Sequence, residues 1–220
     1  MAPSDVSIHF ARLEAGSSGG PPGSPEGMAE RTQAYLDFLA GPATALGAVS
    51  PRVVVLAHTA ASYQTEFSRE PALVDRLAFL TGARVITAAQ AVGAALRRLG
   101  VTTLALGTPY PESVSVRGRA YWQAAGFRVA GYHRLDSADI YAEDEERAVE
   151  LARQADVPSA QAVLLSGTGL PTVGVLEMLE HELGKPVISS NQALFWRALR
   201  LAGVDSAIDG FGLLLRLPAA

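Results

Sequence analysis

Apolar positions along the chain follow two patterns that alternate. Short, nearly unbroken apolar runs occur at residues 53–57, 103–106, 162–165 and 187–189, each bounded by small or turn-forming residues. Such runs suit strands of a parallel sheet covered on both faces. Residues 85–87 read as a fifth strand and 128–131 as a weaker sixth. Between them apolar residues recur at helical spacing. Val92, Ala95, Leu96 and Leu99 share one face, as do Val175, Leu176, Leu179 and Leu183, and then Leu194, Phe195, Ala198, Leu199 and Ala202. Gly184 and Gly203 stand where C-terminal helix stops belong. Strands alternating with helices predict an α/β fold with parallel sheets and right-handed crossovers.

The pattern repeats. Val85-Ile86-Thr87-Ala88-Ala89-Gln90-Ala91 matches Val187-Ile188-Ser189-Ser190-Asn191-Gln192-Ala193 at an offset of 102 residues. Each copy leads into an amphipathic helix ending near a glycine. A second pair precedes them: the apolar run before His58-Thr59 and the one before Gly167-Thr168. Chance similarity of two strand–helix units is the alternative. Two pairs in the same order favour duplication, with halves at 1–99 and 100–220 and the last residues free to return to the first half. Ligands of open α/β sheets bind outside the carboxyl ends of the strands. Two such halves would place Thr59 and Thr168 on opposite walls of one cleft.

Chemistry is sparse along those walls. Residues 166–172 are expected to run from a strand into a helix with Pro171 in its first turn, a position that needs no N–H. Gly167, Thr168, Gly169 and Leu170 would bring backbone N–H groups close to an anion. An ordinary glycine-rich turn is the alternative. Thr59 and Ser62 offer a similar cradle on the other wall. His58 is the one ionisable group at either strand end, with an ordinary pKa of about 6.5 that suits proton transfer; a core histidine satisfied by a carbonyl would look the same. Tyr110 ends another strand and either offers its hydroxyl to a ligand or packs structurally. Asp144, Glu145, Glu146 and Glu150 read as a solvated helix face, and Trp122 and Trp196 as packing residues. Residues 16–27, rich in Gly, Ser and Pro, form either a disordered connector or a lid.

Composition narrows the classes. The chain has 220 residues, 49% hydrophobic and 18% charged, with net charge −4. No basic stripe suggests nucleic acid. There is no cysteine, so no disulfide, thiolate metal site or cysteine nucleophile is expected. His9, His58, His133 and His181 lack metal-ligand spacing. No apolar run is long enough for a membrane span and the start lacks a signal-peptide pattern, so a cytoplasmic protein is expected. Low surface charge and an exposed sheet edge suggest a homo-oligomer.

Specific motifs then point to a family. The run S-G-T-G-L-P-T-V-G-V-L-E that opens at Ser166, continuing through K-P-V-I-S-S-N-Q-A-L to Gly203-Val204, resembles the maleate cis-trans isomerase and arylmalonate decarboxylase branch of the aspartate/glutamate racemase superfamily. So do Asp5-Val6-Ser7-Ile8-His9, the A-x-T-x-x-S of residues 57–62, and L-G-V-T-T-L-A-L-G-T-P-Y ending at Tyr110. The resemblance implies two flavodoxin-like halves around a cleft, a small (di)carboxylic acid as ligand, and no cofactor or metal. It also exposes departures. Family members commonly carry a cysteine at each strand end, where this chain has His58 and Gly167. They usually begin with a further strand and a P-S-x-N-like turn, and the chain begins about where that segment would end. Thiol addition and two-base racemisation are then unavailable. A one-base isomerase or decarboxylase remains, with His58 moving the proton and Thr59, Ser62, Tyr110, Gly167, Thr168, Gly169 and Leu170 holding carboxylate oxygens. Arylmalonate decarboxylases carry their one cysteine on the Gly167 wall, so a His58 enzyme would protonate the opposite face of its intermediate. The alternative is an inactive relative that keeps the acid-binding cleft as a sensor or partner subunit.

Overall fold

The computed structural model describes residues 1–218. Six parallel strands form two sheets. Strands β1 (Val53–Leu56) and β2 (Arg84–Thr87) pair alone, and β3 (Thr103–Thr108), β4 (Arg128–Arg134), β5 (Ala162–Leu165) and β6 (Val187–Ser189) lie in the order β4-β3-β5-β6. All six coincide with the apolar runs, the weak sixth included. Buried strands of a parallel sheet need no polar alternation, and every residue of β5 and β6 is buried.

Helices α1 (Met28–Asp37), α2 (Ala40–Gly47), α3 (Thr59–Thr65), α4 (Glu70–Thr81) and α5 (Ala88–Arg98) belong to the first half. Helices α6 (Glu112–Ala124), α7 (Glu145–Ala155), α8 (Leu176–Leu183), α9 (Ser190–Leu201) and α10 (Leu213–Arg216) follow in the second. Asp144 caps α7 by accepting the Arg147 N–H, which accounts for the start of the acidic run.

The internal repeat has a local cause. In each copy a strand-end hydroxyl caps the next helix: Thr87 Oγ1 accepts the Gln90 N–H at 3.0 Å, and Ser189 Oγ accepts the Gln192 N–H at 3.2 Å. In the first copy the Gln90 side chain returns a bond to the Thr87 N–H, closing a capping box. Both helices stop at a glycine in the left-handed region, Gly100 at φ +69 and Gly203 at φ +81. Helices α5 and α9 then pack against each other. The largest core cluster therefore draws on both halves, including Leu96, Leu104, Trp122, Leu164 and Trp196. Smaller clusters lie around Leu151 and Leu176, and around Leu56 and Leu77.

Two expectations shift. The core face of α9 is Ala193, Trp196, Leu199 and Arg200, while Leu194, Phe195 and Ala198 are only half-buried. The Trp196 ring takes the inward position, and the Arg200 guanidinium is buried because the Val204, Ser206, Leu215 and Leu217 carbonyls accept its N–H groups. Pro171 does not open a helix; a 3-10 turn at Val173–Val175 precedes α8. Leu170 is drawn into the core around Leu151, so the chain needs an extra turn before the helix begins. Residues 5–13 form no strand, leaving Ile8 and Phe10 48% and 89% exposed. By the internal correspondence, the free edge of β1 is where β3 stands beside β5, and no described strand fills it.

Candidate active site

The cleft begins where β1 and β5 end. His58 follows β1 and caps α3 with its own ring: Nδ1 accepts the Ala61 N–H at 3.1 Å. That bond leaves the hydrogen on Nε2 and makes the resting imidazole a donor. Burial, with the Arg31 charge adding to it, lowers the His58 pKa to about 4. The ring is also held edge-on to Tyr35, with centroids 5.2 Å apart. The side of α3 expected to cradle an anion is thus partly filled by histidine. Thr59 and Ser62 are fully buried, and neither hydroxyl has a well-formed hydrogen bond.

Across the cleft, Gly167 takes φ +115, and a Cβ there would lie 2.9 Å from Pro109 Cγ and 3.3 Å from the Tyr110 hydroxyl. Only glycine adopts this conformation without strain. Its N–H donates to Ser190 Oγ at 3.1 Å, so it is not free for a ligand. Thr168 Oγ1 donates to the Ala57 carbonyl at 3.0 Å, and the Asn191 side chain donates to the Thr168 carbonyl. Behind this wall Tyr63 and Ser166 hydroxyls meet at 2.7 Å, and Trp122 Nε1 donates to Tyr63 at 2.9 Å. Burial raises the Tyr63 pKa to about 12 and pushes Tyr110 up further, with the neighbouring Tyr63 adding to the effect on Tyr110. Both phenols therefore keep their protons near neutral pH.

These walls enclose a cavity of about 30 Å³, lined by His58, Tyr110, Thr168 and Gly169 among the residues expected from sequence. Thr59, Ser62, Gly167 and Leu170 lie outside its lining; Leu170 is a packing residue. Gly23 joins them from the candidate lid loop; the rest of the lining was not anticipated: Met28, Arg31, Thr32 and Tyr35 from α1, Ala60 from α3, and Ile140 and Tyr141 from the loop before α7. The loop at 16–27 is a cover. The Ile140 N–H donates to the Gly23 carbonyl at 3.1 Å, and Arg31, only 4% exposed, donates to the Gly19, Ser24 and Glu26 carbonyls. An arginine in an amphipathic helix carries no sequence mark of burial, and only its place after a Gly/Ser/Pro loop hinted at a role.

The lining has one guanidinium, hydroxyls and a histidine, and no carboxylate. This electrostatic balance favours an anion. Among the described residues, no three His, Asp or Glu side chains are grouped to hold a metal ion, and no helix is long and apolar enough to cross a membrane.

The structure is a two-sheet α/β protein with a small, donor-lined cavity where β1 and β5 end, and its relatives give it a family. The family model for arylmalonate decarboxylase matches residues 28–215, so the chain belongs to the arylmalonate decarboxylase family. It is 34% identical to the arylmalonate decarboxylase of Bordetella bronchiseptica over 166 residues, covering 73% of this chain and 69% of that protein. It is 32% identical to the maleate isomerase of Nocardia farcinica over 158 residues, covering 69% of this chain and 62% of that protein. The solved structure of a Nocardia farcinica maleate cis-trans isomerase mutant with a covalently bound succinylcysteine intermediate superposes with a TM-score of 0.85 at 26% identity, covering 96% of this chain and 86% of that one. Parallel sheets flanked by helices are common to all of them.

Proposed function

We propose that the protein is a cofactor-independent decarboxylase acting on a small malonate-type dicarboxylic acid, with His58 as its one proton donor. The observation that carries this reading is the cavity lining: donors and a guanidinium converge with no carboxylate among them. The reaction class follows from what is missing. Isomerisation through a covalent adduct needs a nucleophile, and racemisation needs a base on each face. Decarboxylation needs neither at the start. The carbon–carbon bond breaks, its electron pair passes into the remaining carboxylate as an enediolate, and carbon dioxide leaves. Neutral donors aimed at those oxygens stabilise the charge as it forms.

In this reading Arg31 pairs with the carboxylate that leaves or the one that stays, while Tyr110 and Thr168 donate to the developing enediolate. Thr59, buried behind the lining beside the Tyr110 hydroxyl, helps to orient that donor. His58 Nε2–H then delivers the proton to carbon; an enediolate is basic enough to take it from neutral imidazole, and solvent restores it. A cavity of about 30 Å³ holds little more than water, so the cover formed by residues 16–27 must lift for substrate to enter.

The second reading, a non-catalytic acid-binding relative, is favoured by the lowered His58 pKa and the occupied Nδ1. Release of carbon dioxide from phenylmalonate, methylmalonate and malonate separates the two. The enzyme reading predicts turnover that falls by about 100-fold or more in Tyr110→Phe. Thermal stabilisation by these acids with no gas release establishes the binding reading instead.

A further inference from the structure

A larger cavity lies apart from the cleft, between α5 and α6. It measures about 150 Å³ and is lined by Ala89, Gln90, Gly93 and Arg97 of α5, Tyr121, Trp122 and Ala125 of α6, and Phe67. It shares no residue with the cleft lining. Its walls are mostly aromatic or small. A cavity of this size, about 150 Å³, holds a single benzene ring.

Gly93 makes the space. A Cβ there would meet only the tip of Arg97, at 3.2 Å from Nη1, and the Trp122 ring at 4.0 Å. The helix backbone is ordinary at this glycine, so the missing side chain serves room rather than conformation. Arg97 stands at one side with its guanidinium 5.3 Å from the Phe127 ring centroid, and Nη2 donates to the Ala125 carbonyl at 3.3 Å. It makes no ion pair among the described residues. The nearby acid is Glu70, and both of its oxygens accept from hydroxyls, Thr87 at 2.6 Å and Tyr121 at 2.5 Å. Its charge is thus engaged behind the Tyr121 ring. Phe67, 38% exposed and edge-on to Tyr121, stands at the solvent side.

We propose that this cavity is a second ligand site that takes a small aryl carboxylate, its ring against Trp122 and Tyr121 and its carboxylate on Arg97. A ring-sized space walled by aromatic and small side chains, beside a guanidinium with no carboxylate partner, recognises both parts of such a molecule. The site does not depend on the decarboxylase reading. Trp122 Nε1–H, bonded to Tyr63 and through it to Ser166, reports occupancy directly.

The test is a benzoate titration of the full chain followed by NMR of the two indole N–H groups, assigned with Trp196→Phe. Trp196, which donates to the Leu217 carbonyl, is the internal control. The expected result is a saturable shift of the Trp122 signal alone. Arg97→Gln weakens binding about fivefold or more, the loss of a charge pair worth about 1 kcal/mol. Gly93→Leu fills the space and abolishes it, and Thr168→Val in the cleft leaves it unchanged. The exposed Arg97 variant carries the test if Gly93→Leu does not fold. A shift insensitive to Arg97→Gln, a shift lost in Thr168→Val, equal binding of benzyl alcohol, or no Trp122 shift at all overturns the proposal.

Discussion

Thr168 Oγ1 and the Ala57 carbonyl oxygen, 3.0 Å apart, join the loop after β5 to the end of β1. The two walls of the cleft therefore touch through a hydrogen bond that a ligand can replace. Thr168→Val removes it. Because Ala57 is exposed and its carbonyl can rehydrate, the expected loss is at the low end for a hydrogen bond, about 0.5–1 kcal/mol. Urea denaturation measures this. Weaker acid binding alongside this small loss is the expected companion.

His58 makes stability depend on pH with a definite sign. Its folded pKa of about 4 lies below the ordinary 6.5, so the unfolded chain takes up the proton first. The contribution is complete above pH 6.5 and is lost as pH falls through 4. The loss reaches at most about 3 kcal/mol, less for the exposure the ring retains. His58→Asn keeps a capping acceptor but removes the titration. His58→Ala removes both and costs about 1 kcal/mol at pH 7. Denaturation midpoints between pH 4 and 7 distinguish the three proteins.

Gly167 is held in a conformation and a space that suit no side chain. With φ +115, and with Pro109 Cγ only 2.9 Å from where a Cβ would stand, Gly167→Ala is expected to destabilise by roughly 1–3 kcal/mol. Gly167→Cys carries the same strain, so a thiol introduced at this wall arrives in a distorted site. Thermal melts of both variants should show matching losses. A neutral Gly167→Ala would mean that the wall relaxes freely.

Arg31 latches the cover. Arg31→Met removes donors to three carbonyls of the glycine-rich loop. Limited proteolysis should cut between residues 16 and 27 faster in the variant than in the wild type, with the rest of the chain protected. Affinity for a small dicarboxylate should fall by about tenfold or more if the same guanidinium meets the ligand.

Much of this arrangement was legible in the amino-acid sequence. Parallel strands announce themselves as short apolar runs, and the repeat of Thr87–Gln90 with Ser189–Gln192 records a capping geometry used twice. His58, Tyr110, Thr168 and Gly169 came from the same logic, because strand ends in this architecture converge. Arg31, Tyr35 and Tyr141 did not, since loops and a peripheral helix bring them in from outside any strand end. Thr59, Ser62 and Leu170 fall outside the cavity lining for a related reason. Proximity to a strand end does not say which way a side chain turns, and all three are buried.

The most direct test of the account is the stereochemistry of one product. Methyl(phenyl)malonate loses carbon dioxide to give a chiral acid, and the face that receives the proton marks the wall that supplied it. With His58 as the lone donor, the account predicts one enantiomer in excess, the one protonated from the β1 wall, and loss of that excess in His58→Asn. A racemic product, or the enantiomer protonated from the Gly167 wall, would contradict it.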